Sequence, residues 1–281
     1  MPVGEKKVGL PELFYDLVFV YALSRTTELV HHADEADYVT FLISLVILFT
    51  VWSYQSIYIN RFGDNSWRDR LFLFADMFLL LFLSNAVGSD WLANFVPFNL
   101  ALGLLVGNVC LQYLLQLARH ASPEQHRRIK LVAGLRGLTT ATVLGSLLFP
   151  AHIGQWVALG GFGLGWILPT FVSHKQPAVN FPHLLERLNG LVIIFFGETV
   201  IDIVPYFHAA KFEIGTLPVI VILFAMFTVY VMQFSYFIDE HKAQNSGALP
   251  SYSHYAVLIG IALATVALAW LHQNSTATAE S

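Results

Sequence analysis

The sequence predicts an all-α fold, a polytopic transmembrane helix bundle of about nine spans. Three observations predict it. The 281 residues are 56% hydrophobic and only 12% charged, with a mean hydropathy of +0.61. Soluble domains carry roughly 25% charged residues, and half of that leaves too little polar surface to hold such a chain in water. The apolar residues gather into runs of about 20, the length that crosses a bilayer as a helix. Basic residues fall in alternate connections between those runs.

The first span, 11–31, opens on Pro11, whose missing N–H costs nothing in a first helical turn. Arg61, Arg68 and Arg70 mark the join between the second span, 38–59, and the third, 70–88. Arg119, Arg127, Arg128 and Lys130 mark the join between the fourth, 95–118, and the fifth, 129–149. Pro150 leads into the sixth, 153–172, and Pro169 inside it predicts a kink. Pro177 and Pro182 precede the seventh, 184–206. Pro205 and Pro218 bracket the loop to the eighth, 217–238, and Pro250 precedes the ninth, 252–271. Residues 1–273 therefore read as a single transmembrane domain, and the small polar stretch 274–281 as a disordered tail.

The charges fix orientation. Lys6, Lys7, Lys175, Arg187 and Lys242 join the arginine-rich connections on one side, and only Lys211 falls on the other, where Asp34, Glu35 and Asp37 make the first loop acidic. The positive-inside rule then puts the N-terminus in the cytoplasm and the C-terminus outside. The start is basic like a signal peptide, but Asp16, Arg25 and Glu28 are too polar for one and no small-residue cleavage site follows. Net charge is −4, which speaks against a nucleic-acid partner. Cys110, the lone cysteine, can form no intrachain disulfide and reads as packing.

Two segments carry polar groups where lipid would not tolerate them. Glu12-Leu13-Phe14-Tyr15-Asp16 begins the first span with two carboxylates one turn apart, on one helix face. The second begins Glu186-Arg187-Leu188-Asn189 and ends Gly197-Glu198-Thr199, with Asp202 one turn beyond. Six spans separate the two starts, an even number, so both helices enter from the same side as a parallel internal repeat would. In order and spacing, over most of the chain, these segments resemble the two signature segments of the bacterial low temperature requirement protein A (LtrA) family. His183, just ahead of the second, belongs to that pattern. Leu188-Asn189 stands where the pattern has an aromatic residue and a glycine. The resemblance implies a multi-pass protein of the bacterial inner membrane, linked to growth in the cold. Family members are usually longer, which implies fewer C-terminal helices here.

Depth follows from the 1.5 Å rise per residue. Glu12, Glu186 and Arg187 come out interfacial, with Asp16 about 6 Å deeper than Glu12. Arg25 falls beyond the midplane, Asp76 and Arg136 within the third and fifth spans, and Glu198 and Asp202 near mid-bilayer. Asn108, Gln112 and Gln116 make a polar stripe on the fourth. Ionised groups at such depth cost several kcal/mol each unless they meet partners or water. The expected pairing is Arg25 or Arg136 with Glu198 or Asp202, leaving a surplus acid free to take up a proton. The competing reading is a set of structural ion pairs that fix helix register, with Glu12 and Glu186 as helix N-terminal acids.

No pair among the 11 histidines has the four-residue spacing of a zinc helix, so neither metal nor cofactor is expected. Glycines 160, 161, 163 and 165 lie inside a span and predict close helix packing; Gly197 predicts a close approach near Glu198. Trp91, Trp156 and Trp270 read as interfacial anchors. No catalytic nucleophile motif is present, so an enzyme is not expected. The expected function is a transporter or channel for a small ion or solute, proton-coupled, with a non-transporting membrane sensor or scaffold as the alternative. Its partners are the lipid bilayer and that ion or solute; a homo-oligomer stays open.

Overall fold

A computed structural model describes residues 6–30, 35–88, 90–119, 122–204, 207, 216–238 and 247–279. Among them nine α-helices and three 3-10 turns form, and no strand. The helices are α1 (Leu10–Thr27), α2 (Glu35–Phe62), α3 (Trp67–Asn85), α4 (Phe95–Gln116), α5 (Pro123–Gly145), α6 (Ala151–Phe171), α7 (Phe181–Ile203), α8 (Leu217–Phe237) and α9 (Ala248–Ala279). The expectations for Asp34, Pro205, Lys211, Lys242 and residues 280–281 lie outside the described residues, as do those for the side chains of Glu35 and Trp270. Helix α9 extends beyond the ninth span as far as Ala279.

Contacts between helix ends sort the bundle into two ends. At one, Lys6 docks on the last carbonyls of α2, Arg119 pairs with Asp64, and Arg61 and Arg128 both reach Gln176. At the other, Tyr21 meets Asn85 and Trp91 meets Thr40. Helices thus alternate in direction, and the first end collects the basic residues.

Five segments are long and apolar enough to cross a membrane by themselves: Asp37–Phe62, Phe95–Gln116, Pro123–Leu148, Leu217–Phe234 and Ala248–Leu268. By that measure, among the described residues, five of the nine helices qualify. Helices α1, α3 and α7 fall short because each holds three or more of the charges singled out above, and α6 because glycine and tryptophan add little hydropathy. Of those charges Glu12, Asp16, Asp76, Arg187 and Glu198 are buried. Phe14, Leu17, Phe74, Phe78 and Phe82 meanwhile lie exposed on the outer faces of α1 and α3. Helix α8 is nearly all surface, with Val221, Phe224 and Val229 exposed. Such a coat would aggregate in water and is at home against lipid; the chain is a membrane protein.

Helix α2 runs through the core, burying Trp52, Phe49 and Leu48. Helices α5 and α6 pack tightly through glycine, as expected: a Cβ on Gly161 would meet Thr142 Oγ1 at 2.1 Å, and one on Gly165 would meet Thr139 Oγ1 at 2.0 Å. Gly160 and Gly163 face open space, and so does Gly197, so among the described residues nothing approaches closely at Gly197.

Candidate functional site

Helices α1 and α7 start at the same end and run in the same direction. Each has proline as its second residue, Pro11 and Pro182. Glu12 and His183 are the third residues of their helices, and Asp16 and Arg187 the seventh. Equal rise therefore brings Glu12 level with His183 and Asp16 level with Arg187.

Across the join the side chains meet. Arg187 Nη1 donates to Glu12 Oε2 and Nη2 to Asp16 Oδ1, each at 2.6 Å. One guanidinium thus separates two carboxylates that would repel one another along α1. His183 Nε2 lies 3.3 Å from Glu12 Oε2. Helix α2 supplies the rest. Trp52 Nε1 donates to Asp16 Oδ1 at 2.7 Å, and its ring centroid is 5.4 Å from the Arg187 guanidinium carbon. Asn60 Oδ1 accepts from the Asn180 backbone N–H at 2.8 Å, which turns Asn60 Nδ2 toward Asn180 O and His183 Nδ1. His183 Nδ1 then accepts, which leaves the ring proton on Nε2, facing Glu12.

The cluster is dry: Glu12, Asp16, His183 and Arg187 are all 2% exposed or less. With both acids ionised, Glu12, Asp16 and Arg187 carry a formal charge of −1. Asp16 Oδ1 takes two donors, while Asp16 Oδ2 has none. Glu12 also accepts from the Gly9 N–H at 3.3 Å, so it caps α1 as well as pairing. Above it, Lys6 Nζ bonds to Gly63 O at 2.9 Å and to Ile59 O. Burial pushes the Lys6 ammonium below its usual pKa, opposed by the Glu12 carboxylate.

Several expected placements change. Arg187 is buried at the centre of the network, because α7 begins at Phe181 and so carries Arg187 two turns inside the bundle. Its neighbour Glu186 points outward and is exposed. Arg25 does not pair with Glu198 or Asp202; it pairs with Glu28 at the end of α1, where both are partly exposed. Arg136 does not pair with them either. Its guanidinium carbon stacks 3.2 Å from the Tyr54 ring centroid, and Nη1 donates to Gly165 O at 3.3 Å. Glu198 is buried and Asp202 half-buried, one turn apart on α7 and about 16 Å and 22 Å from Arg187 along the helix.

Asp76 is buried on α3, where Asn108 Nδ2 donates to Oδ1 at 2.8 Å. The stripe on α4 continues inward: Gln112 and Gln55 exchange amide bonds, and Gln116 donates to Tyr58. Sequence reasoning missed Trp52, Asn60 and Gln55 as partners. The available signal was Trp52 itself, an indole N–H in mid-span rather than at an interface, which needs a buried acceptor.

Comparisons with known proteins bear on the same segments. An uncharacterized protein of Rhizobium meliloti (strain 1021) is 25% identical over 298 residues, spanning 93% of this chain and 69% of the relative. No solved structure matches. The family model described as bacterial low temperature requirement A protein (LtrA) matches residues 7–281, which include every member of the α1–α7 cluster; the chain belongs to that family.

Proposed function

We propose that this chain moves a small ion or solute across the bacterial inner membrane, coupled to protons, with its basic end in the cytoplasm. One observation carries the reading: Asp16 is buried and ion-paired, yet its Oδ2 accepts no hydrogen bond. A carboxylate oxygen left bare in a dry interior is a place for a proton. One proton there would bring Glu12, Asp16 and Arg187 to neutrality. His183, with its ring nitrogen 3.3 Å from Glu12, is a second acid–base group beside the pair, and Glu198 is a separate buried acid further along α7. The basic end faces the cytoplasm by the positive-inside rule. The reading includes no catalytic step and no cofactor.

The test is flux into proteoliposomes under a pH gradient, comparing wild type with Asp16→Asn and Glu198→Gln. Gradient-dependent flux that either variant abolishes supports the reading; flux of candidate ions that never exceeds that of empty vesicles ends it. A second reading is favoured by the closure of the cluster, in which Arg187 and Asp16 are each 1% exposed. In it the chain is a membrane sensor or scaffold linked to growth in the cold, and the cluster clamps α1 to α7. Retained flux in Asp16→Asn alongside lost thermal stability would favour that reading.

A further inference from the structure

A different part of the bundle holds positive charge with no acid to meet it among the described residues. Pro169 lies inside α6 and has no N–H, so the carbonyl of Gly165, one turn earlier, loses its helical donor. Two side chains fill the gap: Tyr54 Oη donates to Gly165 O at 2.8 Å and Arg136 Nη1 at 3.3 Å. Beside them lies a cavity of about 40 Å³, lined by Ser53, Tyr54, Arg61, Tyr113, Arg136 and Gln176 among others. A water needs roughly 10–15 Å³ measured this way, so the space takes a few waters or one small ion.

The lining has two guanidinium groups and no Asp or Glu. Arg61 donates to Tyr113 Oη at 3.2 Å and to Gln176 Oε1 at 3.1 Å, both neutral acceptors. Among the described residues neither Arg61 nor Arg136 forms an ion pair. Arg61 Nε and Ser53 Oγ are buried with no hydrogen-bond partner, and Ser53 is 6% exposed. A buried guanidinium at Arg136 and a half-buried one at Arg61, neither with a counter-charge among the described residues, are costly in a bundle within lipid, and cation–π stacking and a shared carbonyl offset only part of that. Arg61 also lines a wider cleft of about 510 Å³ at the basic end, together with Ser122 and Arg128. It stands where the outer cleft meets the inner cavity.

We propose that the Arg61–Arg136 cavity is a binding site for a small monovalent anion, entered from the basic end past Arg61. The anion supplies the missing negative charge and an acceptor for Arg61 Nε and the Ser53 hydroxyl. The site shares no residue with the α1–α7 cluster, so it stands whether or not that cluster moves protons. The space excludes a bulky organic anion and suits a halide or the carboxylate head of a small solute.

The experiment is thermal unfolding of the purified protein in detergent, titrated with sodium chloride, sodium acetate or sodium gluconate at constant ionic strength. A bound ligand raises the melting temperature with saturation. Chloride or acetate is expected to do so and gluconate, too large to enter, is not. A stronger effect of chloride assigns a halide; a stronger effect of acetate assigns a carboxylate head. Arg61→Gln is expected to weaken the apparent affinity roughly ten-fold, the loss of one charge-assisted contact. Ser53→Ala, which leaves both charges in place, is expected to weaken it roughly three-fold and serves if Arg61→Gln does not fold. Equal shifts in all three salts, or the same chloride and acetate dependence in wild type and variants, would overturn the proposal.

Discussion

Arg187 and Arg136 are both buried guanidinium groups in one helical bundle, 1% and 6% exposed, and their surroundings are opposite. Arg187 sits between two carboxylates, with an imidazole and an indole closing the shell. Arg136 lies on a tyrosine ring and shares a carbonyl freed by a proline. The first arrangement balances the charge of its cation with two carboxylates and ties two helices together. The second leaves its cation without a counter-charge among the described residues, beside a cavity that a second arginine also lines. Burial alone therefore does not tell a clamp from a binding site. The balance of charge around each group does.

The sharpest way to break this comparison is to remove each cation. Arg187→Met leaves Glu12 and Asp16 facing one another in a dry interior, with an expected loss of about 3–5 kcal/mol in detergent unfolding. Adding Glu12→Gln and Asp16→Asn to Arg187→Met should recover most of that loss, because a neutral set of similar volume no longer needs a counter-ion. If the triple variant unfolds as readily as Arg187→Met alone, charge balance is not what holds α1 to α7.

Next in size is the contact at Gly165. Tyr54→Phe deletes the hydroxyl that serves the freed carbonyl and should cost about 1 kcal/mol. In a Pro169→Ala background the helix has its own N–H for Gly165 O, so the same change should cost distinctly less. The difference between the two costs is a coupling energy read from a double-mutant cycle. A coupling of zero would mean that the proline does not create the demand that Tyr54 meets. Arg61→Gln, measured without a small anion, should move stability by less than about 1 kcal/mol, in contrast to Arg187→Met, because it removes a cation that has no acid partner.

These contrasts also show what could be read from the chain before its fold was known. The helical class, the polar stripe on α4 and the glycine packing of α5 on α6 follow from local spacing, and the structure bears them out. Partner choice is not local. Four-residue spacing puts Glu12 and Asp16 on one face without saying which helix that face meets. Starting α7 three residues late placed Arg187 at the interface and left Arg25 and Arg136 as the apparent buried cations. The start at Phe181 comes from Asn180, which caps α7 by accepting from the His183 N–H and also fixes Asn60 on α2. A cap that doubles as a tertiary contact carries no periodic signature.

The smallest expected effect lies outside the membrane, in the turn between α2 and α3, and it tests whether charge balance matters where water is near. Asp64 Oδ1 accepts from the Ser66 N–H at 3.0 Å, and its carboxylate faces Arg119 at 3.3 Å. The hydrogen bonds with Ser66, ahead of those with Asp69, hold the Asp64 carboxyl at about 2. Burial at the start of α3 pushes Asp69 the other way, up from the usual value. A carboxyl whose folded pKa is depressed contributes stability above its unfolded pKa, and the contribution fades as pH falls toward the folded value. Asp64→Asn should therefore lower stability slightly at neutral pH, by less than about 1 kcal/mol since the group is largely exposed and screened. The gap to wild type should close as pH falls from about 4 toward 2. A gap that widens on acidification would mean that Asp69, protonating first, governs this turn instead. Raising the salt should shrink the Asp64→Asn effect at neutral pH while leaving the loss in Arg187→Met nearly unchanged, because solvent ions screen an exposed pair and do not reach a buried one.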